Sequence, residues 1–495
     1  MDTVAAVDVS KRFGSLQALD RVSIQLCSGR VHAIVGENGA GKSTLAKVFA
    51  GLLRPDGGKL MVGGVVIRGT YDRTRAINLG IGYVPQQLSL VPTLTILENY
   101  FLSQRKAGFL LAHREGHETL ASKSVEFGMT VPIDERADQL SLGERQLAEV
   151  LISLALGAQL LLLDEPTSAL GPNEVEQLIT QVRALAERGV GVMLVTHRLK
   201  EVLQAADEVT VLRAGQVVHT GSVGEEDSAL LAERMVGHQV GPPRRPDRPS
   251  ARVRLDVKGL VVYPKSGPAV QVDGMQVAEG EIVGIAGVGG NGQSCFAESL
   301  VGLQMAAGGK VMIDGVDVTG DPAKAAALGV AYIPEDRHDG LVDSLSIMDN
   351  VSIGDPRSGS RHWGMRHLRP LMQVAADVCF DFDVRPGRPW LRVGGLSGGN
   401  QQKLMAGREL RRDVSVLIAD GPTKGLDIAA AAVLRDAIAN LARGGAAVVL
   451  ISSELDEILA LAHRVLVIYR GRMVDEFAIE EFDESRIGRA MAGLS

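Results

Sequence analysis

The sequence predicts an α/β fold written twice in tandem, each copy a mostly parallel sheet covered by helices. Three observations predict it. Short apolar runs of strand length alternate with helix-like stretches, glycine-rich or acidic turns follow those runs, and four motifs recur in one order in both halves.

The strand-like runs are Val31–Val35, Leu160–Leu163 and Val192–Val195, then Ile282–Ile285, Val416–Ile418 and Val448–Ile451. Runs so short and so uniformly apolar suit strands buried on both faces. Helix-like stretches such as Lys42–Gly51 and Asn173–Glu187 follow them. Residues 95–150 and 345–405 hold few such runs, which predicts a mostly helical subdomain inserted in each half.

The repeat is explicit. Gly36-Glu37-Asn38-Gly39-Ala40-Gly41-Lys42-Ser43-Thr44 has a partner in Gly287-Val288-Gly289-Gly290-Asn291-Gly292-Gln293-Ser294, 251 residues on. Leu140–Gln146 is matched by Leu396–Gln402, Leu162–Thr167 by Ile418–Thr423, and Thr196-His197 by Ser452-Ser453, each 256 residues on. Between the copies, Gly241–Pro249 carries four prolines in nine residues and reads as an extended, solvated spacer. The expected organisation is a domain over 1–240, a Pro/Arg-rich linker over 241–251 and a second domain over 252–495.

Composition excludes several classes. A net charge of −7 over 495 residues gives no global attraction to nucleic acid or anionic lipid. No apolar stretch reaches the ~20 residues that cross a bilayer, and the first residues lack a basic region followed by an apolar run. Cys27, Cys295 and Cys379 are too scattered for a disulfide framework or a metal cluster. A soluble, intracellular, multidomain chain is expected. Glycine stands out at 58 residues, about 12% against a usual ~7%, without a collagen period.

Those glycines have a use in the first half. A strand, then Gly36-x-x-x-x-Gly41-Lys42-Ser43, then a helix is the arrangement whose backbone N–H groups wrap nucleotide phosphates. Lys42 then reaches the β- and γ-phosphates and the Ser43 hydroxyl serves Mg²⁺. Asp164 and Glu165 end the apolar run Leu160–Leu163: Asp164 suits the Mg²⁺ shell, and Glu165 faces the γ-phosphate and polarises the attacking water. A helix N-cap pair is the alternative for two acids in this place. His197 ends another strand, in reach of the γ-phosphate, and Gln86 in Tyr83-Val84-Pro85-Gln86 is a candidate ligand of Mg²⁺ or water.

Together these motifs resemble the ATP-binding cassette (ABC) family of P-loop NTPases. Ser141-Leu142-Gly143-Glu144-Arg145-Gln146 and Ser397-Gly398-Gly399-Asn400-Gln401 look like its signature segment. Ser168-Ala169-Leu170 and Gly425-Leu426-Asp427 resemble the loop after its acidic strand, and Phe13 sits where the family stacks an aromatic on adenine. The resemblance covers the whole chain except the linker. It implies two cassettes clamped head to tail around ATP and Mg²⁺, each nucleotide held by the phosphate loop of one half and the signature of the other.

The second half departs from that pattern. Gln293 replaces the phosphate lysine, Gly421 stands where Glu165 stands, Ser453 replaces His197 and Glu335 replaces Gln86. Asp420, Ser294, Gly287 and Gly292 remain to hold a nucleotide, so binding without efficient turnover is expected. The signatures sort the other way, since Leu142 interrupts Ser141-x-Gly143 while Ser397-Gly398-Gly399 is intact. Head-to-tail pairing thus joins the complete loop, through Ser397, Gly398, Gly399 and Gln401, to the better signature.

A tandem cassette with one weakened site looks like the ATPase of bacterial importers for simple sugars and nucleosides, peripheral on the cytoplasmic face of the inner membrane. That resemblance implies permease subunits and an extracytoplasmic substrate-binding protein as partners, no nucleic acid, and no cargo bound by this chain. Asn291-Gly292-Gln293 and His338 point to the nucleoside branch. The alternatives are a soluble translation or ribosome-associated tandem cassette and an exporter ATPase. Residues Arg357–Arg369, rich in arginine, suit either a solvated helical face or a surface near permease or headgroups.

Overall fold

The computed structural model describes residues 3–14, 16–104, 112–167, 170, 172–237, 245–246, 249–265, 267–353, 368–478, 484–491 and 493. The stretch 357–367, residues 168 and 169, and most of 241–248 lie outside these. The chain divides into two compact units, Met1–Val240 and Gly241–Ser495.

In the first unit a six-stranded sheet runs in the order Gln216–Ser222, Glu208–Arg213, Val31–Val35, Gly191–Val195, Leu160–Asp164, Ile81–Val84. All neighbours are parallel except the edge hairpin Glu208–Arg213 with Gln216–Ser222. Every residue of Val31–Val35, Leu160–Asp164 and Gly191–Val195 is buried. Four buried leucines, at about 2 kcal/mol each, anchor Leu160–Asp164 and offset the cost of carrying a carboxylate at its end.

The second unit repeats this arrangement with Arg472–Ala478, Arg464–Tyr469, Ile282–Ala286, Ala447–Ser452, Val416–Asp420 and Val330–Ile333. Helices Lys42–Phe49 and Gln293–Leu300 follow the two phosphate-loop strands. The helical insertions are also present: Ile96–Ser103, Ala112–Phe127 and Leu142–Ala155 in one unit, Ile347–Ser352, Leu368–Asp381 and Gly398–Leu410 in the other.

Each unit also contains antiparallel strands that the apolar runs do not reveal. Thr3–Phe13 pairs with Leu16–Cys27 and Gly57–Val62, and Val253–Val262 with Val270–Ala278 and Gly308–Ile313. Thr3–Phe13 begins with alternating buried and half-buried positions, and its apolar stretch Val4–Val7 soon gives way to Asp8, Ser10, Lys11 and Arg12, so no distinctive apolar run marks the strand. Where the expected linker is described it is tied down, with Arg245 Nη2 donating to Leu459 O at 2.9 Å. The three cysteines are free thiols. Among the described residues no helix is long and apolar enough to cross a membrane.

One buried device occurs in both units. Asn350, wholly buried, accepts from Val342 N at 2.8 Å and donates to Val342 O and Ser346 O at 3.0 Å. Asn99 does the same for Val91 N, Val91 O and Thr95 O. Each fastens the chain after Gln86 or Glu335 to the start of a helix. Asn350→Ala leaves buried backbone groups unsatisfied at a cost of about 2–4 kcal/mol. Urea unfolding should show a lower midpoint at unchanged m-value.

Candidate functional site

The phosphate loop of the first unit closes on itself. Lys42, only 4% exposed, donates from Nζ to Gly36 O at 2.7 Å and Glu37 O at 3.0 Å. Ala40 N donates to Glu37 O at 3.1 Å, and Gly215 N to Ala40 O at 3.1 Å, which ties the loop Gly36-Glu37-Asn38-Gly39-Ala40-Gly41 to the sheet edge. Gly41 has φ +104°, and a Cβ there would stand 2.4 Å from Ala18 O, a backbone atom that cannot step aside. Ser43 and Thr44 lie half-buried in the first turn of the helix that follows.

Asp164 is 2% exposed and uses both oxygens: Ser43 Oγ donates to Oδ1 at 2.8 Å and Tyr83 OH to Oδ2 at 3.0 Å. Burial raises its pKa, with Glu165 adding repulsion, against those two hydrogen bonds. Beside it, Gln86 Nε2 donates to Glu165 Oε2 at 2.9 Å, and His197 Nδ1 lies 3.4 Å from Glu165 Oε1. Burial alone would raise Glu165. The His197 hydrogen bond and charge, then Lys42 and Arg198, outweigh it and hold the carboxyl below the ordinary glutamate value. Glu165 takes φ +48°, a left-handed conformation costing a non-glycine residue about 1–2 kcal/mol. Gln86, Glu165 and His197 are thus brought into one hydrogen-bonded group next to Ser43 and Asp164. The oxygen donors Ser43, Asp164 and Gln86 fit Mg²⁺, which takes one or two carboxylates together with substrate phosphate and water.

In the second unit the same backbone carries different chemistry. Gln293 occupies the lysine's place and spends its amide on the loop, donating from Nε2 to Val288 O at 2.8 Å and accepting from Asn291 N at 3.1 Å. Gly287 and Gly292 retain their places, Gly292 at φ +98°. Gly421 adopts φ +56°, close to Glu165, without a side chain. Ser453 is exposed. Burial pushes Asp420 up to about 7, opposed by a Ser294 hydrogen bond, and its Oδ2 has no hydrogen-bond partner. Glu335 accepts from Ser294 Oγ at 3.3 Å and from Lys424 Nζ at 2.5 Å.

The signature residues belong to other hydrogen-bond systems, each at the start of a helix. Ser141 caps Leu142–Ala155 through a capping box: its Oγ accepts from Glu144 N at 3.2 Å and Glu144 Oε2 accepts from Ser141 N at 2.8 Å. A Cβ on Gly143 would stand 3.0 Å from Glu174 Oε1, an acid beside that helix start. Ser397 makes no such cap; its Oγ accepts from Asn400 Nδ2 at 2.9 Å. Gly398 and Gly399 open the helix, and Gln401 accepts from Arg337 Nε at 2.7 Å and donates to Val393 O at 3.0 Å. Phe13 ends its strand 47% exposed, with Lys11 Nζ 5.6 Å from its ring centre. Tyr263, 67% exposed, directly follows the corresponding strand of the second unit.

A sequence model of the ABC transporter family matches residues 19–168 and again 271–424, one match over each phosphate loop and its acidic strand. The chain belongs to the ABC transporter family. It is a tandem ABC ATPase that binds ATP, homologous to the ATP-binding subunits of sugar and nucleoside importers. The nucleoside import ATP-binding protein NupA of Lactococcus lactis subsp. cremoris is 34% identical, over 99% of this chain and 98% of its own length. Ribose import ATP-binding protein RbsA 2 of Rubrobacter xylanophilus is 37% identical, over 98% and 94%. The archaeal ribosome recycling factor aABCE1, solved with the stalk protein aP1, superposes with a TM-score of 0.67 over 98% of this ABC chain and 92% of that one. At 20% identity that likeness is one of fold.

Sequence reasoning missed two residues bonded to these groups, Tyr83 and Lys424, and a third placed along the chain much as Phe13 is, Tyr263. Tyr83 lies three residues before Gln86, but only strand pairing puts it on Asp164. Tyr263 has a signal like that of Phe13, an aromatic directly after the first strand of its unit. Lys424 follows the second acidic strand and gives no signal until Glu335 is seen beside it.

Proposed function

We propose that this chain is the ATP-hydrolysing subunit that energises an importer of nucleosides or simple sugars, with nucleosides as the cargo. The carrying observation is the likeness, along almost the whole of both chains, to proteins named for nucleoside, guanosine and ribose import. Nucleoside and ribose relatives are about equally similar, so the cargo choice rests on Asn291-Gly292-Gln293 and His338. The partners are membrane-embedded permease subunits and an extracytoplasmic substrate-binding protein. The chain works at the cytoplasmic face of the inner membrane and does not itself touch the cargo.

Hydrolysis belongs to one composite site, made from the phosphate loop of the first unit and the signature of the second. In it Lys42 binds the β- and γ-phosphates, and Glu165, kept ionised and aimed by Gln86 and His197, polarises the attacking water. Ser43, Asp164 and Gln86 would hold Mg²⁺, which neutralises phosphate charge when bound. Phe13 stacks on the adenine. The other site, from Gln293, Ser294, Asp420 and Glu335 with Ser141 and Gly143, binds nucleotide and turns it over poorly, because Gly421 and Ser453 supply neither base nor histidine. Two features support the pairing. The Ser397 hydroxyl is not spent on a helix cap as that of Ser141 is, and among the described residues a Cβ on Gly399 would meet Gly425 O at 3.5 Å rather than an acid like Glu174.

Glu165→Gln should lower steady-state ATPase at least ~100-fold while ATP binding survives; near-normal turnover would remove its role. Ser397→Ala should cut ATPase several times more than Ser141→Ala, and equal losses would refute the pairing. For the cargo, the complex reconstituted with its permeases should take up radiolabelled ribonucleoside in competition with nucleosides but not with ribose, xylose or galactose. Competition by ribose alone would move the assignment to sugars.

A further inference from the structure

The second unit has lost the cation of its phosphate loop, and the structure shows what stands nearby. Gln293 is neutral and both ends of its amide are engaged within the loop. Across the site, Gly421 leaves empty the space that a glutamate side chain fills in the first unit. Lys424 leans into that space. A Cβ on Gly421 would lie 3.7 Å from Lys424 Cβ and 3.9 Å from its Cδ, with Glu335 Cγ at 3.6 Å. A turn holds the lysine there, since Lys424 N donates to Gly421 O at 3.0 Å.

Its ammonium ends next to the loop. Lys424 Nζ is 2.5 Å from Glu335 Oε1, and the other oxygen of that carboxylate accepts from Ser294 Oγ, on the first turn after the loop. One carboxylate therefore separates the ammonium from the residue that follows Gln293. The ion pair is open to water, with side chains 61% and 44% exposed, so exchanging its partner costs little. An incoming phosphate brings more negative charge than a carboxylate and three acceptor oxygens, and it wins the lysine. Asp420 interacts with Glu335 and Glu298 on one hand and with Lys424 on the other, so Lys424 is the cation that offsets these acids beside the loop's N–H groups.

We propose that Lys424 is the phosphate-binding cation of the second nucleotide site: it leaves Glu335 for the γ-phosphate of ATP and takes over the charge that Gln293 does not supply. This rests on the reading that the second unit binds nucleotide at all. The γ-phosphate is the group reached because Gly421 occupies the place from which Glu165 faces it.

The test uses the full chain carrying Lys42→Ala, which silences the first loop, with equilibrium binding of radiolabelled ATP and ADP. Adding Lys424→Ala should weaken ATP by about tenfold or more and ADP by less than about threefold. Lys424→Arg should stay within about threefold of the lysine form. Adding Gln293→Lys to Lys424→Ala should restore ATP binding, a rescue that a merely structural lysine would not allow. Unchanged ATP affinity in Lys424→Ala, or equal losses for ATP and ADP, would overturn the assignment while leaving nucleotide binding intact. Absence of any ATP binding to the Lys42→Ala chain would overturn both the assignment and the reading beneath it.

Discussion

Asp164 ends a strand whose five residues are all buried, and both oxygens of its carboxylate are paired, which lowers the cost of burying it there. Ser43 supplies one partner from the phosphate-loop helix and Tyr83 the other from the neighbouring strand. That double attachment fixes the end of the central strand against the loop, and the positions of Glu165, Gln86 and His197 follow from it. In the second unit the equivalent carboxylate keeps its burial but leaves one oxygen without a partner, and its pKa rises to about 7. The same fold thus gives one fully paired acidic centre and one that is incompletely paired.

The residue after each of these acids shows how backbone and chemistry separate. Glu165 and Gly421 share a left-handed φ, +48° and +56°, so the turn leaving the strand is a property of the fold. Glycine adopts it freely, whereas glutamate is strained there. A strained glutamate held by Gln86 and His197 is intelligible when its carboxylate has work to do. The glycine copy keeps the turn and gives up the group, and the vacated space is where Lys424 and Glu335 meet.

Much of the architecture was legible in the residues because the three central parallel strands of each unit are short apolar runs followed by glycine loops or acidic turns. The outer parallel strands Ile81–Val84 and Glu208–Arg213, interrupted by Gly82 and Thr210, escaped that pattern. The antiparallel strands escaped it too, since Thr3–Phe13 and Val253–Val262 mix polar and apolar positions and lack a distinctive run. Ser141 illustrates a signal present but unread: serine followed three residues later by Glu144 announces a capping box, and that box commits the hydroxyl which Ser397 keeps for other bonds.

The amino-acid order by itself determined the duplication, both phosphate loops, the acidic strand ends and the four side chains missing from the second half. Each of these is written within a few consecutive residues, where chemistry and backbone turn are local. Only tertiary structure decided which groups meet. Tyr83 reaches Asp164 across 81 residues because Ile81–Val84 pairs in parallel register with Leu160–Leu163. Lys424 reaches Glu335 across 89 because Val330–Ile333 lies beside Val416–Ala419 in the same way. Parallel pairing joins strands distant in the chain, and the partners it creates at their carboxyl ends cannot be read from either strand alone.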